Sequence, residues 1–378
     1  MRTGWGRTGF ALLGAIAAHA APAWAGAPSY RAVFKAARAV VDGGAPSAAV
    51  EIVTPAQREN ILHGYANVPK AERLKVGAQV RLADVTQVVT GSVVLALVGD
   101  GVLALGDTVE RWVPGLLGPG AVVTVGQLLQ QTSGIPDYTA TDAFAADVRA
   151  DPLADVPPQQ LTGYVAQLPL LFPPGSAFGY SRTDAIVLGL IVEAATGMSL
   201  EAVIAARVAA PLDLERTALP ASNELPAPRT EGYHFKRTEY GPIRKVTDAI
   251  SPSWTWAAAG MISTPVEVGR VLRARMAGRL FPDALVEQSL ASLVRGDGFP
   301  PGPGTSRSGL GIFAYRLPCG LVYGYTGRIP GWRTFAVANR QGTRSATVVV
   351  NVDNGRKHVA NLARRLQQKA ACRALRFE

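Results

Sequence analysis

Residues 174–196 read PGSAFGYSRTDAIVLGLIVEAAT, a loop followed by an apolar run, and the prediction of the fold starts from this stretch. Its first part is a loop rich in Pro, Gly and Ser, and an apolar run follows from about Thr183 to Ala195. Such a run predicts a buried helix, and Gly197 just beyond it is a candidate for the C-cap. The chain has 378 residues, which is ample to build a sizeable core around this helix.

Other segments predict further helices and several strands. A long apolar helix runs from about Val85 to Val98, a third helix from Leu200 to Ala209, and a basic amphipathic helix from roughly 355 to 371. Alternating or β-branched runs predict strands at Ala48–Val53, Asn60–Ala66, Leu310–Arg316, Leu321–Tyr325, Trp332–Asn339 and Ser345–Val352. Strands at both ends predict an α/β fold with one antiparallel sheet built from both termini, flanked by helices, and a mostly helical insert at about 100–300.

The first 25 residues have the pattern of a secretory signal peptide. Arg2 and Arg7 precede an apolar run from Phe10 to Ala20, and Ala23-Trp24-Ala25 fits the small-x-small cleavage rule. The run is too short to span a bilayer, and no later apolar run reaches spanning length. The sequence therefore predicts export to the periplasm or the extracellular space, with 26–378 as one mature domain.

Composition narrows the possible partners. The net charge is +10, and seven cations fall near the C-terminus. They are Arg356, Lys357, Arg364, Arg365, Lys369, Arg373 and Arg376. They could face anionic cell-wall polymers or membrane headgroups, or form the solvated face of a terminal helix. A nucleic-acid partner is not expected outside the cytoplasm, and no basic motif with interleaved aromatic residues is present.

Two cysteines and four histidines limit the metal and redox chemistry. Cys319 and Cys372 form an even pair, which favours a disulfide in an oxidising compartment, although two unrelated thiols would also fit. The histidines are scattered, and one of them lies in the predicted signal peptide. We therefore expect neither a metal site nor a cofactor.

Four ordered segments resemble a known family. They are Val98–Gly118 (VGDGVLALGDTVERWVPGLLG), Val123–Tyr138 (VTVGQLLQQTSGIPDY), Pro174–Thr196 and Gly309–Trp332. Together they resemble the serine β-lactamase / penicillin-binding superfamily, in particular D-alanyl-D-alanine carboxypeptidases and class C β-lactamases. The cysteine pair is also similar to one in exported carboxypeptidases of this family. The resemblance covers nearly all of the mature chain and implies the β-lactamase/DD-peptidase fold, but a fold does not determine a function.

The side chains that the family uses for acyl transfer are mostly replaced. The resemblance implies a Ser-x-x-Lys pair one turn apart, a Tyr-x-Asn loop and a His/Lys-Thr-Gly strand. Here the serine position is Asp84 and the lysine position is Gln87. Tyr-x-Asn becomes Tyr180-Ser181-Arg182, and the strand motif becomes Tyr325-Thr326-Gly327. A glutamine has no titrating proton, so we expect the usual attack on a β-lactam or peptide to fail.

Two interpretations of the replacements remain open. Asp84-x-x-Gln87 could be a helix capping box that formed after the site lost its activity. Alternatively, the cleft could be a remodelled ligand pocket in which Arg182 pairs with Asp84, Tyr325 contacts a ligand and Thr326 remains. This pocket could bind a zwitterionic peptide.

Several weaker candidates complete the site. Trp256 could wall the cleft or lie in the core, and Arg316 could meet an acidic group there or be an exposed strand residue. Ser133 and Ser92 are expected to be packing residues.

Three functions follow from these observations. The first is a non-hydrolytic pseudoenzyme that binds a peptide-like or cell-wall ligand in a site including Gln87, Thr326 and Gly327. The second is a repurposed acid/base enzyme acting on a small amide, ester or peptide-like metabolite through Asp84, Tyr180 and Arg182. The third is residual hydrolase activity of the family type.

Overall fold

The computed structural model describes Met1 and residues 28–235, 243–296, 302–353 and 357–376, so the predicted signal peptide lies, apart from Met1, outside these ranges. Its helices are α1 (Tyr30–Asp42), α2 (Thr86–Gly99), α3 (Val109–Trp112), α4 (Val125–Gln130), α5 (Asp142–Ala150), α6 (Pro158–Gly163), α7 (Arg182–Thr196), α8 (Leu200–Ile204), α9 (Trp256–Ala259), α10 (Pro265–Met276), α11 (Asp283–Ala291) and α12 (Lys357–Arg376). Its strands are β1 (Ser47–Val53), β2 (Arg58–Asn67), β3 (Glu72–Arg73), β4 (Val80–Arg81), β5 (Tyr233–Phe235), β6 (Ile243–Lys245), β7 (Ile262–Ser263), β8 (Val294–Arg295), β9 (Thr305–Gly309), β10 (Ile312–Leu317), β11 (Gly320–Ile329), β12 (Trp332–Ala338), β13 (Ser345–Val350) and β14 (Val352–Asp353).

A nine-stranded antiparallel sheet forms the centre of the fold, in the order β3-β2-β1-β13-β12-β11-β10-β9-β8. Strand β1 pairs with β13, with Val50 opposite Val348, so strands from the two ends of the chain lie side by side. Both strands are buried along almost their whole length because helices cover the two faces of the sheet. Helix α10 packs beside Glu51, and α1 packs beside His63 on the opposite face. The predicted sheet built from both termini is confirmed.

The helical part of the molecule is organised around α2 and α7. Helix α2 is buried on all sides, and Gly91 lets the backbone of Gly311 come close, since a Cβ at this position would lie 3.0 Å from the Gly311 Cα. Helix α7 ends at Gly197, which has a φ of 65° and is the predicted C-cap. The third predicted helix divides into α8 and a π-helical turn at Ala205–Ala209.

Several secondary-structure elements differ from the sequence prediction. Helix α12 continues one turn beyond its predicted end, and helices α1 and α10 and strand β9 were not predicted. The insert at about 100–300 remains a prediction. Among the described residues no single helix is long and apolar enough to cross a bilayer, and only the pair Arg182–Thr196 and Leu200–Leu212, bent by 83°, meets that criterion.

The predicted disulfide is confirmed. Cys319 lies in the turn between β10 and β11, Cys372 lies on α12, and their Cα atoms are 5.4 Å apart. The bond therefore ties the last helix to the sheet. In the part of the chain that the structure describes, no group of three or more His, Cys, Asp or Glu side chains could hold a metal ion.

Candidate functional site

Asp84 lies in a 3-10 turn, Ala83–Val85, that leads directly into α2. The turn presses against strand β11 at Gly327, where a Cβ would come within 2.7 Å of the Asp84 nitrogen and 2.8 Å of the Leu82 oxygen. Only glycine allows this approach, because both contacts are to backbone atoms that cannot move aside. The turn also requires Ala83 to adopt a φ of 53°, which is a strained conformation for a residue with a Cβ. The start of α2 is thereby fixed against the sheet.

The Asp84 carboxylate is buried and accepts three hydrogen bonds. The Arg182 Nε lies 2.7 Å from Oδ1, and the Tyr180 hydroxyl donates to the same oxygen over 2.9 Å. The backbone N–H of Arg328 donates to Oδ2 over 2.7 Å. The Asp84 side chain is only 3% exposed, so these protein groups replace water as its hydrogen-bond partners. The predicted pairing of Arg182 with Asp84 is present.

The alternative capping-box interpretation is wrong. The N-cap of α2 is Val85, and no side chain caps the helix. The Asp84 carboxylate cannot serve as a cap because it is directed towards α7 and β11, where a guanidinium and a backbone N–H bind it. An ion pair with a guanidinium is a stronger interaction than a hydrogen bond to one helix N–H, which explains the preference.

Gln87 connects the buried Tyr325 to the half-buried Tyr180. Its Nε2 donates to the Tyr180 oxygen over 2.7 Å, and its Oε1 accepts from the Tyr325 hydroxyl over 2.8 Å. The direction of every bond is then fixed: Tyr325 donates to Gln87, Gln87 to Tyr180, and Tyr180 to Asp84. A lysine at position 87 could not accept from Tyr325, so the glutamine completes a chain of hydrogen bonds that a lysine would interrupt.

Burial and the Asp84 charge determine the protonation of this network. Burial raises the pKa of Tyr180 well above its usual value, and the Asp84 charge adds to the effect. The pKa of Tyr325 is raised for the same two reasons. Burial alone would lower the pKa of Arg182, but Asp84, Tyr180 and Asp137 together outweigh it and raise that pKa well above its usual value. Both phenols stay neutral and Arg182 stays charged at neutral pH, so none of the three is available as a base.

Arg182 is also bound on its other side. Its Nη1 lies 3.3 Å from Asp137 Oδ2 and 3.4 Å from Thr139 Oγ1, and its guanidinium lies 5.6 Å from the centre of the Tyr180 ring. Asp137 was not predicted as part of the site. With Asp84 and Asp137 on either side of one guanidinium, this group of three carries a formal charge of −1.

A cleft of about 320 Å³ opens beside the Asp84–Arg182 pair. It is lined by Asp84, Arg182, Thr326, Gly327, Arg328, Ile329, Pro330, Arg333, Thr334, Asp353 and Gln367. Thr326 and Gly327 are therefore where the sequence prediction expected them. Arg328, Arg333, Asp353 and Gln367 were not predicted, and the arginine-rich composition of the chain was the available signal for the two arginines.

Gln87 and Tyr325 do not contact this cleft, contrary to the prediction that they bind ligand. Tyr325 is 1% exposed, its ring packs edge-on against Phe313 at 4.9 Å, and its hydroxyl is used by Gln87. The cavity beside these two residues measures about 10 Å³, which is room for no more than about one water molecule. Their role in the structure is to hold the Tyr180 hydroxyl in place, since Tyr325 donates to Gln87 and Gln87 donates to Tyr180.

Four other candidates lie elsewhere. Trp256 is buried on α9 against Gly189 of α7 and donates to Glu201, so it belongs to the helical core and not to the cleft wall. Arg316 is exposed on β10 and is not among the cleft-lining residues, which is the alternative that the sequence left open. The two serines are buried packing residues as expected: Ser133 donates to Asp184, and Ser92 donates to a helix carbonyl and accepts from Arg275.

This chain is similar to known proteins both in sequence and in structure. The esterase EstB of Burkholderia gladioli is 31% identical over 279 residues, which cover 66% of this chain and 69% of the esterase. A penicillin-binding protein of Bacillus subtilis is 31% identical over 159 residues, or 41% of this chain, and this match spans only 33% of that longer relative. The crystal structure of a D-stereospecific amidohydrolase from Streptomyces sp. superposes with a TM-score of 0.79 at 28% identity, covering 89% of this chain and 98% of the amidohydrolase.

A family comparison covers the same region. The sequence model of the beta-lactamase family matches residues 25–371, which include every element of the sheet and the whole Asp84 network. The antiparallel sheet, the helix that follows position 84 and the strand at Thr326 are thus parts of one shared architecture. The chain belongs to the beta-lactamase family.

Proposed function

We propose that this protein is a non-hydrolytic member of its family that binds a small zwitterionic, peptide-like ligand outside the cytoplasm. The observation on which the proposal rests is the complete hydrogen bonding of Asp84 at the position where the family has its serine. The carboxylate lies between Arg182, Tyr180 and the Arg328 N–H, so it is held as a structural anion.

Three physical arguments oppose acyl transfer at this site. A carboxylate that accepts three hydrogen bonds is a weak nucleophile. Neither side chain at the positions of the family's base can act as one, because Gln87 cannot take a proton and burial keeps the Tyr180 phenol neutral. The N–H of Arg328, which could otherwise stabilise a developing oxyanion, already donates to Asp84 Oδ2.

The cleft itself supports ligand binding. Its volume of about 320 Å³ lies at the lower end of the range for small-molecule sites, which favours a ligand of about dipeptide size. Its lining includes two carboxylates and three guanidiniums, so both charged ends of a zwitterion find a partner. Random mutation after a loss of activity would not be expected to preserve an open, charged cleft. Nor would it be expected to leave the Asp84 carboxylate beside that cleft with three hydrogen bonds.

Two alternatives remain to be separated by experiment. Residual hydrolysis is supported by the names of similar proteins, an esterase and an amidohydrolase. A repurposed acid/base reaction through Asp84, Tyr180 and Arg182 is supported by their contact in one network. The raised pKa values of Tyr180 and Arg182 mean that both residues hold their protons at neutral pH and can donate only hydrogen bonds, which weakens this second alternative.

The test is the intact mass of the purified protein after incubation with penicillin and with an acyl-D-alanyl thioester. A matched control restores the family residues together, as Asp84→Ser, Gln87→Lys, Arg182→Asn and Tyr325→His. We expect no adduct and no turnover from the natural protein, and a covalent adduct at position 84 of the restored variant. An adduct on the natural protein, located by peptide mapping, would refute the proposal and support residual hydrolase chemistry.

Export is part of the same proposal. The disulfide between Cys319 and Cys372 is compatible with an oxidising compartment. Sequencing the N-terminus of protein recovered from cell fractions tests it directly. We expect a mature chain that begins at Gly26 in the periplasmic or extracellular fraction, and an intact N-terminus in the cytoplasmic fraction would contradict export.

A further inference from the structure

Helices α1 and α12 lie side by side on one face of the sheet, where both pack against β1. Near the start of α12, His358 Nε2 lies 2.8 Å from the Gly43 oxygen, which directly follows α1. Near the end of α12, Arg373 Nη1 donates over 3.1 Å to the Pro28 oxygen, just before α1 begins. The two helices are therefore antiparallel neighbours.

Each of these helices turns a line of cations away from the sheet. The side of α1 that contains Val33, Ala37 and Val40 is buried, and the cations on its other side are exposed. The exposed cations of α1 are Arg31, Lys35 and Arg38. The exposed cations of α12 are Lys357, Arg364, Arg365 and Lys369. Within each helix these residues are mostly three, four, seven or eight positions apart, so they share one side of the helix.

The two helices account for most of the net charge of the chain. Helix α1 contains three cations and one acidic residue, Asp42, and α12 contains six cations and no acidic residue. Their formal charge is therefore +8, whereas the chain of 378 residues has a net charge of +10. Like charges at this density repel one another, and an anionic partner would relieve that repulsion.

The cations are spread over an area and do not converge on a point. Helix α12 has 20 residues and α1 has 13, and a rise of 1.5 Å per residue gives lengths of about 30 Å and about 20 Å. Packed helices lie about 8–10 Å apart, so the two lines of cations form a broad surface. One strand of a soluble anionic polymer would follow one line, whereas a plane of lipid phosphates contacts both lines at once.

Two exposed apolar side chains lie at one end of this surface. Tyr30, the first residue of α1, is 45% exposed, and Leu321 is 37% exposed. The disulfide joins the turn before Leu321 to the last turns of α12, and Pro28, near Tyr30, accepts from the same end of that helix. Such side chains gain free energy on entering the headgroup region of a bilayer, and a polyanion in water offers no such gain.

We infer that the exposed side of α1 and α12, here called the basic face, binds the surface of an anionic lipid bilayer. The seven exposed cations contact lipid phosphates, and Tyr30 and Leu321 enter the headgroup region at one end. The protein then lies on the bilayer by this face. None of the seven cations is among the residues that line the cleft, so this inference goes beyond the proposed function and does not depend on it.

The experiment compares three triple variants, in each of which glutamine replaces three exposed cations. Glutamine forms helices about as well as lysine and arginine, so the two helices should persist. The α12 variant is Arg364→Gln/Arg365→Gln/Lys369→Gln. The α1 variant is Arg31→Gln/Lys35→Gln/Arg38→Gln. The matched control takes the same number of exposed arginines from α5, β8 and β9 and is Arg149→Gln/Arg295→Gln/Arg307→Gln.

Co-sedimentation with vesicles measures the partition coefficient, and thermal melting checks that each variant is folded. The vesicles contain phosphatidylcholine alone or equal parts of phosphatidylcholine and phosphatidylglycerol. We expect the natural protein and the control variant to bind the mixed vesicles and not the neutral ones, with affinity that falls as salt is added. The α1 and α12 variants should each bind at least about thirtyfold more weakly, because every Lys or Arg near an anionic surface strengthens binding by about fivefold.

Three results would overturn the inference. The first is equal binding of mixed vesicles by the natural protein and by the α1 and α12 variants. The second is an equal loss of binding in the control variant, because net charge and not the basic face would then determine binding. The third is a natural protein that does not bind mixed vesicles. Titration with inorganic polyphosphate then identifies a soluble polyanion as the partner if it binds, and a solvated face without a partner if it does not.

Discussion

Breaking the Asp84–Arg182 pair should destabilise the fold far more than breaking an exposed pair. Arg182→Met removes the guanidinium but keeps a long apolar stem, and Asp84→Asn removes the charge but keeps the shape. The Arg182 side chain is 17% exposed and that of Asp84 is 3% exposed, so the interaction is mostly shielded from water. Leaving one partner of a buried pair alone costs about 3–5 kcal/mol.

The lower end of that range applies here because each partner keeps other contacts. Asp84 keeps its bonds to Tyr180 and to the Arg328 N–H, and Arg182 keeps Asp137. We therefore expect each single variant to lower the free energy of unfolding by about 3 kcal/mol. The double variant should lose about 2 kcal/mol less than the sum of the two, because neither charge is then left alone.

Urea-induced unfolding followed by tryptophan fluorescence measures these free energies for the natural protein, both single variants and the double variant. The matched control is the pair Arg207–Asp100, which has a similar separation of 2.6 Å but side chains that are 45% exposed. Its coupling energy should lie within about 0–1 kcal/mol. A coupling energy below about 0.5 kcal/mol for Asp84–Arg182 would refute the view that this ion pair organises the site.

Two further predictions concern stability away from the cleft. Burial raises the pKa of Glu51 to about 7, against the opposing effect of Arg273, so its contribution to stability is fully present below about pH 4.5 and is lost as the pH rises through 7. Relative to Glu51→Gln, the natural protein should lose up to about 3 kcal/mol between pH 5 and pH 8 in urea unfolding, and parallel pH profiles would contradict this. Replacing Cys319 and Cys372 by serine opens a loop closed across 53 residues, and we expect a loss of about 4 kcal/mol in the same assay. An unchanged urea midpoint would show that the bond is incidental to stability.

The sequence was sufficient to predict the pairing of Arg182 with Asp84 because two substitutions at facing motif positions had complementary charges. It was not sufficient to choose the pairing over a helix cap, since Asp-x-x-Gln has the right composition for both. The choice depends on the Arg328 N–H, and a backbone donor leaves no mark in a sequence. The same limit hid the role of Gln87, whose amide bridges two phenols that only the folded chain brings together.

The choice between the two positions left open for Trp256 also needed the folded chain, because the space at Gly189 that receives its ring in the core is formed by a different helix. Other features were hidden by distance along the chain. Gln367 and Arg333 line the cleft from elements well separated along the chain, and nothing in either local pattern indicates that they meet. The sheet was easier to predict because alternation and β-branched composition are local properties of each strand.

The continuous chain of hydrogen bonds that runs from Tyr325 through Gln87 and Tyr180 to Asp84 has an evolutionary consequence. Asp84→Ser alone would leave Arg182 without its nearest anion, and Gln87→Lys alone would leave Tyr325 without an acceptor and add a cation near Arg182. Each single step towards the family's usual chemistry therefore passes through a less stable protein that still lacks a complete catalytic set. Under the proposed function, interlocking of this kind makes the loss of acyl transfer hard to reverse one mutation at a time, so this lineage is expected to diversify in what it binds.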